Sequence, residues 1–229
     1  MIDLALVWVG IIGLGVLIYV VMDGFDLGIG ILFPFMNGTQ ERDVMMNTVA
    51  PVWDGNETWM VLGGAGLFAA FPLVYSTVLS ALYLPIIFMV VALIFRGVAF
   101  EFRFKATRTK YLWDLAFIWG SILSSFFQGV ILGAYIQGIQ TTNGIYSGGG
   151  WDWFTPFTCF TGLGVVVMYA TLGCGWLIWK TEKEIQQRMY HLMPRLIIAL
   201  LIIFGAVSLY TPLTHPEIAQ RWFSLPNLY

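Results

Sequence analysis

The side chains able to carry protons or charge are few and unevenly placed. The chain of 229 residues has 11 Lys and Arg and 13 Asp and Glu, so only 10% of it is charged. Asp54, Asn56 and Glu57 stand together in P-V-W-D-G-N-E-T-W (51–59). Asp23 and Asp26 interrupt a long apolar run in V-M-D-G-F-D-L-G-I-G (21–30). Arg96 and Glu101 close another apolar run, and Asp114 opens a third. Carboxylates interleaved with polar groups can take up a proton and pass it on. At spacing three, Asp23 and Asp26 share one helix face. Each residue also has a structural reading. D-G-N-E fits a capping box with Asp54 as N-cap and Glu57 at N3. Arg96 can neutralise a nearby carboxylate or meet lipid headgroups. Asp23 and Asp26 fit an interface after a helix break, and Glu101 and Asp114 fit surface charges flanking a basic loop.

The elements that position these groups follow from composition. The chain is 59% hydrophobic with mean hydropathy +0.80, which identifies an all-α integral membrane protein. Strands of a membrane barrel would alternate apolar and polar residues. These segments are apolar on all sides, so they are helices. Six spans are predicted, over 4–33, 57–74, 77–99, 114–137, 157–179 and 193–212. The first exceeds the ~20 residues a bilayer needs, so it tilts, bends or protrudes. No basic region precedes its apolar run, which makes it a first span rather than a cleaved leader. Trp8, Trp59, Tyr75, Trp113, Trp151, Trp153, Trp176 and Trp179 fall mostly near predicted ends, as interface anchors do. Ser121, Ser125, Gly129 and Gly133 form a ladder of small residues at spacing four, a face that lets helices approach closely.

Six spans place ten of the eleven Lys and Arg on one side: Arg42, then Arg96 to Lys110, then Lys180 to Arg195. Only Arg221 falls on the other. This asymmetry predicts an N-terminus outside and the basic loops in the cytoplasm. Counted from Trp8 at 1.5 Å per residue, Asp26 lies ~27 Å deep, near the cytoplasmic boundary. Asp54, Glu57, Arg96, Glu101 and Asp114 reach that same boundary. The embedded charges therefore form one group in one leaflet. Such a group suits proton uptake from the cytoplasm that continues into something else.

Other chemistries find little support. Haem is held by His most often, then by Met, Cys or Tyr. The two histidines, His191 and His215, lie at a loop and just past the sixth span, so this chain is expected to ligate no haem itself. The acids have no recognisable metal-site spacing, and no Walker, Rossmann or nucleophile motif occurs. No basic arm or nucleic-acid motif is present. Cys159 and Cys174 share one predicted helix roughly 22 Å apart and cannot pair.

Four segments together resemble subunit II of the cytochrome bd family of quinol oxidases. They are D-G-F-D-L-G-I-G (23–30), R-D-V-M-M-N-T-V-A-P-V-W-D-G-N-E-T-W (42–59), G-G-A-G-L-F-A-A-F-P-L-V-Y (63–75) and F-R-G-V-A-F-E-F-R (95–103). The wording is closer to the cyanide-insensitive branch. The resemblance implies a heterodimer with a subunit I that carries haems b and d, or b alone, together with the quinol site and the oxygen-reducing centre. Small accessory single-span subunits also occur in the family. Subunit II is then a haem-free partner in the bacterial inner membrane that supports assembly and proton delivery. The family's proton-path candidates fall on Asp54, Asp26, Arg96 and Asp114, beside Glu101, Asp23 and Glu57. Trp53 matches a residue lining a structural quinone site in some members. Residues 1–140 correspond to a first four-helix bundle. Residues 141–229 supply an external loop and two further spans, the first part of a second bundle, because members are longer. Two other readings stand beside this one: an ion or solute transporter subunit, which embedded acids and glycine-rich helices suit, and a purely structural assembly subunit.

Overall fold

A computed structural model describes residues 3–214 and 216–225. Nearly every apolar run becomes a helix: α1 (Leu4–Leu32), α2 (Thr39–Val49), α3 (Trp53–Ala70), α4 (Pro72–Phe102), α5 (Lys110–Gln137), α6 (Pro156–Lys180), α7 (Lys183–Thr214) and α8 (Pro216–Phe223). A short antiparallel pair, β1 (Thr141–Thr142) with β2 (Ile145–Tyr146), lies between α5 and α6. Among the described residues, five segments are long and apolar enough to cross a membrane: Leu4–Phe35, Pro72–Phe102, Lys110–Gln137, Pro156–Lys180 and Lys183–Thr214. The chain is thus an all-α bundle of membrane helices. The span expected over 57–74 forms a helix, α3, but Asp54, Asn56 and Glu57 in its first turns keep it below that apolar standard.

The helices run alternately up and down. Asn56 near the start of α3 meets Asp26 near the end of α1. Farther along, Gly63 faces Val16 and Gly66 faces Ile12, so α3 returns antiparallel along α1. Consecutive turns close between α4 and α5 at one end, which holds the Arg103–Lys110 loop. The β hairpin marks the other end. Those two ends are called the basic end and the hairpin end below.

Glycine sets how closely α1, α5 and α6 approach. A Cβ on Gly28 would overlap the Tyr169 carbonyl and sit 2.8 Å from the Gly173 Cα. A Cβ on Gly173 would in turn lie 2.5 Å from the Gly28 carbonyl carbon. Backbone therefore meets backbone where α1 crosses α6, the contact that small residues permit. The small-residue ladder of α5 serves two neighbours. Ser121 fills the space beside Gly30 of α1, while Gly129 and Gly133 receive Thr158, Thr161 and Gly162 of α6. Thr161 Oγ1 also donates to the Gly129 carbonyl at 2.9 Å.

Helix ends depart from the sequence expectation in several places. Helix α6 opens with a capping box in which Thr155 and Thr158 exchange hydrogen bonds. Helix α3 has Val52 at its N-cap and no side-chain cap, so the expected Asp54–Glu57 capping box is not formed. Ion pairing draws Glu57 away, because its carboxylate is engaged by Arg96. Helix α4 bends at Leu82 (φ −118°, ψ 17°), three residues before Pro85, whose missing N–H breaks the ladder there. Trp153, expected as an interface anchor, is buried against Ala81, Leu82, Val130 and Ala134 beside this bend. Helix α2 was not foreseen at all. Its Met45, Met46 and Val49 are buried in the main core against α1 and α6.

Candidate functional site

Three helices bring the embedded charges together. Helix α1 carries Asp23 and Asp26 one turn apart, the first two turns of α3 carry Asn56 and Glu57, and α4 carries Arg96. Asp23, Asp26 and Arg96 are each 0% exposed. Arg96 Nη1 donates to Asp23 Oδ1 at 2.6 Å and Nη2 donates to Glu57 Oε2 at 2.8 Å. The guanidinium fork thus joins α1, α3 and α4, the two-carboxylate geometry for which Arg is suited. Asp26 meets no cation. Its Oδ2 accepts from the Asn56 amide at 2.8 Å, and its Oδ1 has no partner. Asp23 Oδ2 and Arg96 Nε are also buried without a partner. Trp53 stacks on Phe100 with centroids 4.7 Å apart, and the Arg96 guanidinium faces the Trp53 ring at 5.8 Å.

A second group lies at the basic end, beyond Arg96 by roughly 10 Å along α4. Asp114 accepts from Arg42 Nη1 at 2.8 Å and from Arg103 Nε. Asp43 accepts from Arg103 Nη1 at 2.5 Å and from Lys110 Nζ at 2.9 Å. Arg103 is fully buried and lies over the rings of Phe33 and Phe104. For Asp43, partial burial raises the carboxyl's pKa, but hydrogen bonds and charge from Lys110 and Arg103 outweigh it and hold the group below the usual range. This network ties α2, α4 and α5 together. Asp114 belongs to it and makes none of its contacts with the Asp23 and Asp26 group. Asp43 was not singled out from the sequence, and Arg103 read there as an ordinary loop charge. The one available signal was the R-D pair at 42–43 inside a run with apolar spacing.

The remaining candidates are at the surface. Glu101 is exposed and pairs with Lys105 at 3.3 Å, one turn away. Asp54 is exposed in the first turn of α3, where its carbonyl accepts from the Thr58 hydroxyl at 2.9 Å. The site therefore divides into a buried set (Asp23, Asp26, Glu57, Arg96, with Trp53 at its edge), a basic-end set around Asp114, and two solvent-facing acids. His191 is exposed on α7, and His215 lies outside the described residues. Among the described residues no group of three or more His, Cys, Asp or Glu could hold a metal ion.

Residues 4–228 match the model of the cytochrome bd terminal oxidase subunit II family. The chain belongs to that family. It is 33% identical over 193 residues to the cytochrome bd-I ubiquinol oxidase subunit 2 of Escherichia coli, covering 81% of this chain and 51% of that protein. It is 32% identical over 197 residues to the cytochrome bd ubiquinol oxidase subunit 2 of Bacillus subtilis, covering 82% of this chain and 58% of that one. The chain spans about half the length of these curated relatives. As a subunit II sequence it carries a buried arginine that clamps two acids and leaves a third to an amide.

Proposed function

We propose that this chain acts as the haem-free subunit II of a respiratory cytochrome bd-type terminal oxidase, in which a partner subunit I oxidises quinol and reduces oxygen to water. Its own part is to support assembly and to deliver protons from the cytoplasm. The chain sits as a multi-pass protein of the bacterial inner membrane with its N-terminus outside and its basic end in the cytoplasm. Residues 1–140 make a first bundle, and 141–229 open a second. Haems b and d, or b alone, belong to subunit I, and a quinone or lipid can rest against Trp53. One observation carries the reading: a buried acid, Asp26, sits in a long apolar helix with an amide and no cation for partner, next to acids neutralised by Arg96. Asp54, exposed two residues before Asn56 and three before Glu57, is the group that water reaches first. Glu101 belongs to the cytoplasmic surface around this uptake point, while the buried Asp114 holds Arg42 and Arg103 at the basic end.

The test uses the complex isolated with its haem-bearing partner. Asp26→Asn lowers quinol-driven oxygen uptake by about 10²-fold, the scale of a lost acid–base group, and Asp54→Asn lowers it less. Both retain the wild-type haem spectrum. Normal uptake in Asp26→Asn with normal haem content overturns the proton role. A structural role is favoured by one specific observation, that Arg96 joins three helices. It predicts instead that both variants lose haem and assembled complex together.

A further inference from the structure

The hairpin end carries a charge that the proton-delivery reading does not use. Asp152 is the single Asp, Glu, Lys or Arg between residues 115 and 179. It is exposed in the loop just before α6, and it pairs with no cation among the described residues. The loop is built around its carboxylate. Oδ2 accepts from the Gly149 N–H at 2.7 Å, with the Tyr146 hydroxyl 3.2 Å away. That hydroxyl has one proton, and the Gly149 carbonyl, at 2.6 Å, is the nearer acceptor. A Cβ on Gly148 would overlap Oδ2 and lie 2.5 Å from the Tyr146 hydroxyl, so glycine lets the loop close this tightly. Asp152 Oδ1 accepts no hydrogen bond among the described residues.

Asp152 lines a polar pocket of 210 Å³ whose wall also takes in Ala81, Gln137, Tyr146 and Trp153. Asp152 Oδ1 and the Tyr146 oxygen are left there as acceptors. The Ala81 carbonyl loses its helical donor, because Pro85 four residues on has no N–H. Trp153 adds an aromatic ring, stacked on Trp151 at 5.6 Å. A second cleft, apolar and of 520 Å³, lies between the start of α4, the end of α5 and the hairpin, against Leu73, Val74, Val78 and Tyr135. Gly138 and Ile139 line both, so the two adjoin. Gly138 (φ 88°) turns the chain out of α5, and the Thr77 hydroxyl donates to the Gly144 carbonyl at 2.8 Å, which fixes the hairpin over the cleft. Together they offer an apolar channel with a negative, acceptor-rich mouth.

We propose that this double site binds a phospholipid with an ammonium headgroup, its acyl chain in the apolar cleft and its ammonium against Asp152. An ammonium carries donors and no acceptor, which matches the groups left open around Asp152. A cation also sits well over the face of an indole or phenol ring, and Trp153 and Tyr146 supply both. An anionic lipid fits poorly. Residues 115–179 contain no Lys or Arg, so its phosphate would face Asp152 with nothing to offset the repulsion, whereas an ammonium lipid brings its own cation. A quinone has no positive charge for Asp152 to meet. The place is also right, because the cleft lies where α4 begins and α5 ends, at headgroup level for two spans. It is at the opposite end of the bundle from Trp53, and it does not depend on the proton-delivery reading.

Photo-crosslinking tests this on the complex isolated with its haem-bearing partner and placed in bilayers of equal parts phosphatidylethanolamine and phosphatidylglycerol. A trace of one lipid or the other carries a diazirine in its acyl chain, and labelled peptides are mapped by mass spectrometry. The ethanolamine probe is expected to label residues 73–78 and 135–139 about five-fold more than the glycerol probe, the upper range for one exposed ion pair. Asp152→Asn keeps an acceptor for the Gly149 N–H and removes the charge. It is expected to bring the ethanolamine signal down to the glycerol level, with labelling elsewhere on the chain unchanged. Val74→Trp fills the cleft and is expected to remove most labelling there by both probes. Equal labelling by the two probes in the wild type overturns the proposal. So does an unchanged ethanolamine signal in folded Asp152→Asn, or cleft labelling that survives Val74→Trp. A quinone with a diazirine tail that labels the cleft and displaces the ethanolamine probe overturns it in favour of a quinone. Circular dichroism and the haem spectrum report folding, and if Asp152→Asn does not fold, the comparison of the two probes in the wild type decides.

Discussion

Replacing Arg96 by Leu separates two accounts of how the buried set is held. If the arginine contributes only its two hydrogen bonds, each about 0.6 kcal/mol inside a membrane protein, the loss is about 1.2 kcal/mol. The geometry argues for much more. Arg96 and Asp23 are fully buried and 2.6 Å apart, and Glu57 is 2.8 Å from the same guanidinium. Removing the cation leaves two carboxylates facing each other in a low-dielectric seam. Breaking a buried pair in this way costs about 3–5 kcal/mol, because the surviving charge is uncompensated. At about 1.4 kcal/mol per factor of ten, that is a fall of two to more than three decades in the folded-to-unfolded ratio. The assay is equilibrium unfolding in mixed micelles with rising denaturing detergent. Arg96→Lys is expected to fall between the two, since an ammonium cannot span both carboxylates as the fork does. The triple variant Arg96→Leu/Asp23→Asn/Glu57→Gln is expected to recover most of the stability. A loss below about 1.5 kcal/mol for Arg96→Leu, with no recovery in the triple variant, refutes the charge-compensation argument.

Other outcomes follow from the packing and from the basic end. Gly28→Val is expected to force α1 and α6 apart where backbone meets Gly173, at about 1–3 kcal/mol or more; unchanged detergent resistance and unchanged yield of folded chain would contradict it. Asp43 is held below the ordinary carboxylate range, so its folded-state pKa is depressed. Its contribution is present above the unfolded pKa of ~4 and is lost as the pH falls through the folded value. Unfolding measured from neutral to strongly acid pH is expected to show less acid destabilisation in Asp43→Asn than in wild type. Equal acid sensitivity in the two proteins would remove Asp43 from that role.

Residue chemistry explains which parts of this arrangement the sequence revealed. A bilayer leaves few ways to place an ionised group, so Asp23, Asp26, Glu57 and Arg96 stood out from their apolar surroundings, and they do meet. The Ser121–Gly133 ladder was equally plain, because small residues at spacing four have little other use in such a helix. Long-range pairing was harder to read. Arg103 and Asp43 are 60 residues apart, and nothing local separates a buried loop arginine from the exposed Lys105 nearby. Helix α2 escaped notice because eleven mixed-polarity residues between two spans read as a connection. Ala81, Gln137 and Asp152 sit singly on three different segments. Only their convergence makes a pocket of them. The failed capping box has the same origin: a tertiary ion pair claimed Glu57 before a local contact could.

The buried clamp also has a consequence in time. Asp23 and Arg96 are 73 residues apart in the chain. At ~5–20 residues per second, a ribosome finishes Arg96 about 4–15 s after Asp23. During that interval Asp23 has no arginine to pair with, because its partner has not yet been made. The clamp that joins α1, α3 and α4 can therefore close only after the last of the three has been synthesised, so the first bundle's charge seam is completed late in the making of its own helices.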